Sequence, residues 1–242
     1  MRAGKGFFEF QQFTIDQRHA AMKVGTDSDL LGALAEGGEN ILDIGTGTGV
    51  LALMMAQRFS KAHITAIDID EGAILDATNN FSSSPFSERL SLHHCSLQDF
   101  MLHPEGGDTK GTFDSIICNP PYFDKSLEAP DKSRTRARHT SSLPFRELIE
   151  GAYRLLEPDG TFSVIIPPEV LPAFSAECLL AGFWLKHCYK IKTLPHKAPK
   201  RYILIYKKGR TESTEETVCL RNTDSTYSDW HNEIMKDFLK KP

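Results

Sequence analysis

The sequence predicts an α/β protein with an open, doubly wound and mostly parallel β-sheet. From residue 41 onward, short apolar runs alternate with longer segments of helical periodicity, which is the pattern of successive β-α-β units. A glycine-rich turn directly follows the first of these runs, where sheets of this kind bind ligands. The 242 residues suffice for a single domain, which we divide into an N-terminal segment (1–38), a core (39–208) and a C-terminal extension (209–242).

In the first half of the chain, capping residues and glycines delimit the predicted elements. Several N-cap candidates at 26–28 precede a short apolar helix at 30–35, and Gly37 and Gly38 end that helix. Strands and helices then alternate as their hydrophobic periodicity changes. In chain order they are the strand 40–44, the helix 49–59, the strand 63–68, the helix 71–81 and the strand 89–94.

The second half continues the same alternation and closes with a pair of strands. A helix at 144–156 is expected to end at the Glu-Pro-Asp-Gly sequence 157–160, because proline and glycine terminate helices. Beyond residue 209 we expect a polar stretch, 211–217, and a final helix, 228–240. The predicted strands of this half are 113–119, 161–166, 183–192 and 201–207, the last two joined by a loop at 195–199.

The composition argues against a membrane-spanning or disulfide-stabilised protein. Largely apolar runs such as 41–44 and 164–167 are strand-sized and far shorter than the roughly 20 residues that a membrane span needs. Residues 1–13 contain no apolar segment typical of a secretory signal, and the 5 cysteines are widely spaced without a Cys-x-x-Cys pair. We therefore expect a cytoplasmic protein with reduced thiols.

Positive charge is concentrated in two stretches, although the net charge is −4. A single charge run is most often a solvated surface, but two runs of one sign favour contact with an anionic substrate such as RNA. The first stretch, 132–139, contains Lys132, Arg134, Arg136, Arg138 and His139. The second stretch, 186–210, has no acidic residue and contains Lys186, Lys190, Lys192, Lys197, Lys200, Arg201, Lys207, Lys208 and Arg210.

The strongest local motif is the Asp-Ile-Gly-Thr-Gly-Thr-Gly sequence 43–49 between a predicted strand and a predicted helix. Glycines allow the sharp turn and the close approach of a ligand that a Cβ would prevent. A dinucleotide shares this pattern, but a carboxylate beside the turn would repel its pyrophosphate and would complement the ammonium group of S-adenosylmethionine. The candidate cofactor contacts here are Asp43, Gly45, Gly47 and Gly49.

Two further segments supply candidate contacts to a nucleoside cofactor. Asp68 ends the second strand, where a carboxylate can accept hydrogen bonds from both ribose hydroxyls, while Asp70 is better placed to cap the next helix. Ile69 lies between them and is a further candidate for contact with the cofactor. After the third strand, Asp99 can accept from an adenine amino group and Phe100 can pack on its ring, although a plain polar turn is the alternative.

The sequence Asn119-Pro120-Pro121-Tyr122 follows the fourth strand and indicates the reaction. The lone pair of an amino group conjugated to a heterocycle is delocalised into the ring, which makes the nitrogen a poor nucleophile. If the Asn119 side-chain oxygen and the Pro120 carbonyl accept its N–H groups, the nitrogen can pyramidalise and attack a sulfonium methyl in line. Pro121 stiffens the turn, and Tyr122 offers a face on which the target base can stack.

A metal site is not expected. His93, His94 and Cys95 are consecutive, but neighbouring residues of a strand point to opposite faces and cannot all converge on one ion. No serine or cysteine has a local arrangement that suggests an activated nucleophile either.

The residues 43–49, Asp68, Asp99 and 119–122 occur in the order typical of class I methyltransferases of the N6-adenine type, which the chain resembles over about 41–207. Further segments resemble one bacterial family, the tRNA1(Val) adenine-37 N6-methyltransferases. These are Phe-Gln-Gln-Phe at 10–13, Met-Lys-Val-Gly-Thr-Asp-Ser at 22–28, Asn-Pro-Pro-Tyr-Phe at 119–123, Arg-Ala-Arg-His at 136–139 and Asp-Phe-Leu at 237–239.

The resemblance implies a Rossmann-like, seven-stranded doubly wound sheet with an antiparallel last strand, and S-adenosyl-L-methionine as cofactor. It also implies that the N-terminal segment packs over the cofactor, with Lys23, Gly25 and Thr26 close to it. The implied substrate is an adenosine beside the anticodon of a tRNA, a base that leaves its stack more cheaply than a paired one. Because no separate RNA-binding domain precedes the core, the tRNA would be held by a monomer through the two basic stretches and the C-terminal extension.

Three other functions remain open at the level of sequence. A protein glutamine N5-methyltransferase faces the same lone-pair problem and uses the same Asn-Pro-Pro-Tyr turn. The two basic stretches favour an RNA substrate over a protein glutamine. A guanine N2-methyltransferase of ribosomal RNA is the second alternative, and a non-catalytic RNA-binding protein on the same scaffold is the third.

Overall fold

The computed structural model describes residues 6–102, 112–121 and 143–239. Two short strands, β1 (Phe7–Glu9) and β2 (Thr14–Asp16), pair as an antiparallel hairpin. The remaining strands form one eight-stranded sheet in the order β10-β8-β9-β7-β6-β3-β4-β5. They are β3 (Asn40–Ile44), β4 (His63–Asp68), β5 (Leu90–His94), β6 (Phe113–Cys118), β7 (Leu156–Ile166), β8 (Phe183–Lys192), β9 (Arg201–Lys208) and β10 (Thr214–Cys219).

Helices cover both faces of the sheet, as the alternating pattern predicts. Among the described residues they are α1 (Thr26–Leu34), α2 (Val50–Arg58), α3 (Glu71–Ser82), α4 (Leu97–Leu102), α5 (Phe145–Leu155), α6 (Leu171–Leu180) and α7 (Asp229–Met235). Buried side chains of α1, α2, α3 and α7 share one apolar cluster, and those of α4, α5 and α6 share a second. The fold class is therefore confirmed.

Strand direction determines which loops meet at one edge of the sheet. The strands β3 to β7 are parallel, and β9 is antiparallel to both β7 and β8. It follows that β8 points in the same direction as β7, and β10 is parallel to β8. The carboxyl ends of all these strands except β9 lie at one edge, where β9 begins. We call this the site edge.

The sheet has one strand more than the seven that the family resemblance implies. The additional strand, β10, falls in the stretch 211–217 and beyond, which we expected to be a polar tail. Residues 214–217 are exposed and only Val218 is buried, because β10 is the outermost strand. Its residues therefore show no apolar alternation from which a strand could be predicted.

Several element boundaries also differ from those predicted. The strand β7 begins at Leu156 instead of 161, and its pairing with β6 contains an irregularity between Phe113 and Ser115. Two helices, α4 and α6, were not predicted. The final helix is shorter than expected and ends at Met235.

Candidate active site

The candidate cofactor and substrate residues come together at the site edge. Ile44 at the end of β3 is in register with Ile67 of β4 and with Cys118 of β6. Gly45, Asp68 and Asn119, which follow these positions, therefore lie at the ends of three adjacent strands. Here the strand order reverses between β3 and β6, and open α/β sheets bind ligands at such reversals.

The turn after β3 is built on glycines with left-handed backbone angles. Gly45 and Gly47 have φ of +72° and +58°, and a Cβ added to either would meet no other atom within 4 Å. Gly49 has φ of +81°, and its Cβ would lie 2.4 Å from the Phe81 ring. The first two glycines are required by the backbone and leave open space for a ligand, whereas the third also allows α2 to pack against α3.

Asp43 is fully buried beneath this turn. Its Oδ2 accepts a hydrogen bond of 2.6 Å from the Thr46 hydroxyl, while Oδ1 has no hydrogen-bond partner among the described residues. Burial raises the pKa of Asp43 to about 7. A positive charge at the turn would offset the cost of ionising this carboxyl, so the site fits a cationic ligand. Direct contact between Asp43 and the ligand stays a prediction.

A second carboxyl with a raised pKa, Asp29, lies in the first turn of α1. Burial raises its pKa to about 7, and its Oδ1 also has no hydrogen-bond partner in the described part of the chain. Nothing in the sequence distinguishes Asp29, because an acid in the first turn of a helix is ordinary.

The neighbouring acids Asp68 and Asp70 have different structural roles. Asp68 accepts hydrogen bonds from the backbone N–H of Gly47 at 2.8 Å and of Asp70 at 2.9 Å, which ties the glycine turn to the end of β4. Asp70 accepts from the N–H of Ala73 at 2.7 Å and caps α3, as predicted. Ile69 is 49% exposed and presents an apolar surface at the site edge.

The pair Asp99 and Phe100 lies in α4 and not in a polar turn. The Ser96 hydroxyl donates to Asp99 at 2.7 Å and accepts from its N–H at 3.0 Å, and Asp99 is exposed. The Phe100 ring is buried, with His93 and Phe113 as ring neighbours at 5.7 and 6.3 Å. Contacts of Asp99 or Phe100 with a cofactor stay predictions.

The motif that follows β6 is described up to its third residue. Asn119 is half-buried, Pro120 is buried and Pro121 is exposed. Tyr122 and the basic stretch 132–139 lie outside the described residues. Asn119 directly follows the end of β6, which is in register with the end of β3, so it lies beside the glycine turn at the site edge.

The N-terminal segment is held against α3 by two buried polar side chains. Asp76 is fully buried and accepts hydrogen bonds from the backbone N–H groups of His19 and Ala20, at 2.9 and 2.7 Å, and contacts the His19 ring at 2.7 Å. Asn80 bonds both backbone groups of Asp16 and also donates to the Thr48 carbonyl in the glycine turn. Neither residue was predicted from the sequence. Their signal is weak, because polar residues on the inner side of a predicted helix are read only as a break in its periodicity.

The residues that follow this anchored segment lead back to the site edge. The Gln17 side chain accepts from the N–H of Val24, and the Lys23 ammonium donates to the Gln17 carbonyl. Gly25 is the N-cap of α1, and Thr26 is its first residue. Lys23, Gly25 and Thr26 are all exposed, so they are available for the predicted contacts with a cofactor.

We expect Asp76→Ala to weaken cofactor binding although Asp76 is not a predicted cofactor contact. The substitution leaves the buried N–H of Ala20 without an acceptor, which costs about 1–3 kcal/mol, and it also removes the bonds to His19, so the segment that carries Lys23 and Gly25 is held less firmly. The midpoint of urea unfolding should fall, and the dissociation constant of S-adenosylmethionine, measured by calorimetry at a temperature where the variant is folded, should rise about tenfold.

The matched control is Arg18→Ala in the same segment. It removes a local ion pair with Asp16 and the contact of the guanidinium with the Phe7 ring, but it leaves every bond to α3 in place. An ion pair with an exposed partner contributes about 0–1 kcal/mol. Equal cofactor affinity of the Asp76 variant and the control would show that the seat on α3 does not position the N-terminal segment over the cofactor.

The described residues contain no group of three or more histidines, cysteines or acids arranged to hold a metal ion. Within the same ranges, no helix has the length and apolar character needed to cross a membrane.

The fold and the site are those of a methyltransferase, and comparison with known proteins establishes this class. Residues 19–175 match the family model of the methyltransferase small domain. The tRNA1(Val) (adenine(37)-N6)-methyltransferase of Phocaeicola vulgatus is 41% identical to this chain over 234 residues, which are 96% of this chain and 97% of that protein. The enzyme of the same name from Tolumonas auensis is 40% identical over 224 residues, with 91% of each chain covered. The chain therefore belongs to the tRNA1(Val) (adenine(37)-N6)-methyltransferase family.

Solved structures support the fold alone. A protein described as a predicted O-methyltransferase of Agrobacterium tumefaciens has a TM-score of 0.65 and 19% identity, over 88% of this chain and 96% of that one. A methyltransferase of Pyrococcus furiosus has a TM-score of 0.53 and 24% identity, over 81% and 90%. The family membership confirms that the chain is a methyltransferase and that S-adenosyl-L-methionine is its methyl donor.

Proposed function

We propose that this protein transfers a methyl group from S-adenosyl-L-methionine to the N6 amino group of adenosine 37 in tRNA1(Val). The observation that carries the proposal is the position of Asn119 and Pro120 directly after β6, adjacent to the glycine turn and Asp68. The names of the relatives support the same substrate.

The residues at the site edge fit this cofactor. The open space above Gly45 and Gly47 accepts its amino-acid end, and the orphaned oxygen of Asp43 favours its ammonium group. Asp68 would accept from the ribose hydroxyls, while Ile69, Asp99 and Phe100 would surround the adenine. When bound, the cofactor would supply an electrophilic sulfonium methyl, whose bond to sulfur breaks as the bond to nitrogen forms, with a neutral thioether as the leaving group.

Asn119 and Pro120 act on the nucleophile. Their two oxygens accept the N–H groups of the adenine amine, which directs the nitrogen lone pair toward the methyl group and stabilises the transition state more than the ground state. The proton is lost to water after the nitrogen is alkylated, so no strong general base is needed. Tyr122 would stack on the target base.

The alternatives are not favoured. A glutamine amide of a protein and a guanine N2 of ribosomal RNA would be served by the same turn, but the relatives that cover nearly the whole chain are named for tRNA adenine. We place the tRNA contacts on the basic stretch 132–139 and on the part of the basic stretch 186–210 that lies at the site edge, and we expect a monomer in the cytoplasm.

The test is transfer of labelled methyl from S-adenosylmethionine to total tRNA isolated from a strain that lacks this gene. Mass spectrometry of the digested tRNA should find one new N6-methyladenosine, at position 37 of tRNA1(Val). Label that enters only protein, or only guanine, would overturn the proposal.

A further inference from the structure

The basic stretch 186–210 is not one surface in the folded protein. It consists of β8 and β9, joined by a turn at 193–200 that lies at the site edge. Seven residue steps separate the two ends of β9, or about 23 Å at roughly 3.3 Å per residue. Lys197, Lys200 and Arg201 are therefore at the site edge, whereas Lys207 and Arg210 are at the opposite edge.

Three basic residues toward the opposite edge have partners within the protein. Lys186 pairs with Glu36 at 2.7 Å, and Lys207 lies 3.9 Å from Asp159. The ammonium group of Lys208 donates to the Leu156 carbonyl and lies 4.8 Å from the centre of the Tyr153 ring. Much of their positive charge is therefore offset by neighbouring groups of the protein.

The two lysines in the turn have no such partners among the described residues. Lys197 and Lys200 are exposed, and neither side chain has an ion pair or a hydrogen bond with any residue in the described part of the chain. Unpaired lysines on an exposed turn repel one another and attract an anion, so this charge is available to a polyanionic partner.

The turn is also rigidly placed. Two prolines, Pro195 and Pro199, restrict its backbone. At its end, Arg201 pairs at 2.7 Å with Asp27, which lies in the first turn of α1 next to Gly25 and Thr26. The C-terminal extension packs beside its start.

That extension adds another cation. The N–H of Arg221 donates to the Thr193 carbonyl at 3.2 Å, and the Arg221 guanidinium lies 4.3 Å from the centre of the Tyr227 ring. We call residues 193–201 together with Arg221 the basic tip.

We infer that the basic tip binds the tRNA phosphates that flank the target adenine. The basic residues of the opposite edge take no part in tRNA binding. The inference rests on the proposed function. In the sheet, β9 is two strand spacings from β6, about 10 Å, so the tip is within reach of the backbone of a nucleotide whose base lies beside Asn119. Phosphate contacts of this kind position the substrate and carry no base specificity.

The experiment compares two double variants of equal charge change from one basic stretch. Lys197→Ala/Lys200→Ala alters the tip, and Lys207→Ala/Arg210→Ala alters the opposite edge. For each, methyl transfer to an unmodified tRNA1(Val) transcript is measured at several salt concentrations, with S-adenosylmethionine affinity measured separately by calorimetry.

We expect the tip variant to raise KM for tRNA about tenfold at unchanged kcat and unchanged cofactor affinity. The slope of log affinity against log salt should become shallower by roughly 0.7–0.9 for each lost phosphate contact. The opposite-edge variant should stay within about twofold of the unaltered protein. The inference would be overturned if the two variants had equal effects on KM for tRNA, or if the tip variant had no effect. In either case, methylation of the transcript by the unaltered protein would still uphold the proposed function. Failure of the unaltered protein to methylate tRNA would overturn both.

Discussion

Replacing Asn119 by alanine should lower kcat for methyl transfer about a hundredfold to a thousandfold, while cofactor affinity stays within about twofold. The substitution removes an acceptor that is needed only when the amine nitrogen becomes pyramidal, so the loss falls on the transition state. Single polar groups that stabilise developing charge in enzymes contribute effects of this size. The measurement is single-turnover transfer of labelled methyl to tRNA, together with calorimetric binding of S-adenosylmethionine.

The conservative variant Asn119→Asp separates chemistry from folding. It keeps a side-chain oxygen in the same place and should recover part of the activity that alanine loses. A merely structural role would show instead as a lowered unfolding midpoint and weaker cofactor binding in both variants. Full turnover by Asn119→Ala would eliminate the proposed activation of the amine.

The second large effect is expected for Asp68→Ala, which should raise the dissociation constant of S-adenosylmethionine about a hundredfold. Hydrogen bonds to charged groups contribute about 1.5–3 kcal/mol each, and the predicted ribose contacts depend on this carboxylate. The variant also releases the N–H of Gly47, so the glycine turn loses its link to β4. Calorimetry with the cofactor alone measures the effect without any RNA.

Asp70→Ala is the matched control, because it removes a carboxylate only two residues away. Its known partner is the N–H of Ala73, so the variant should lose about 1 kcal/mol of stability through the helix cap and keep cofactor affinity within about threefold. If both variants weaken binding equally, the effect is a general disturbance of this loop and Asp68 has no special role toward the cofactor.

Much of the sheet could be predicted because its inner strands are buried on both faces. Such strands appear in a sequence as short, almost continuous apolar runs, and β4 and β8 begin and end where the sequence predicts. The glycine turn and the caps are local in the chain, so their residue types already indicate their backbone conformation. The acid Asp70 is an example, since its capping role follows from its position before α3.

The missed elements lack such local signals. The strand β10 is a mostly exposed edge strand that forms because β8 offers unpaired backbone groups. The helix α6 has a proline near its start and exposes Leu179 and Leu180, while Phe174 and Cys178 are buried. Its apolar residues therefore do not mark one face, and only packing against the sheet selects the buried ones.

The sequence by itself determined the fold class and the positions of most core strands along the chain, because apolar periodicity and turn residues act over a few neighbouring positions. Its short motifs, by their resemblance to known ones, also indicated the family. The tertiary structure alone decided how the N-terminal segment is seated, since Asp76 and Asn80 bond residues about 60 positions away. It also decided which half of the basic stretch 186–210 faces the site. Both depend on where the chain reverses and on which charges find partners, and those are properties of distant residues that only folding brings into contact.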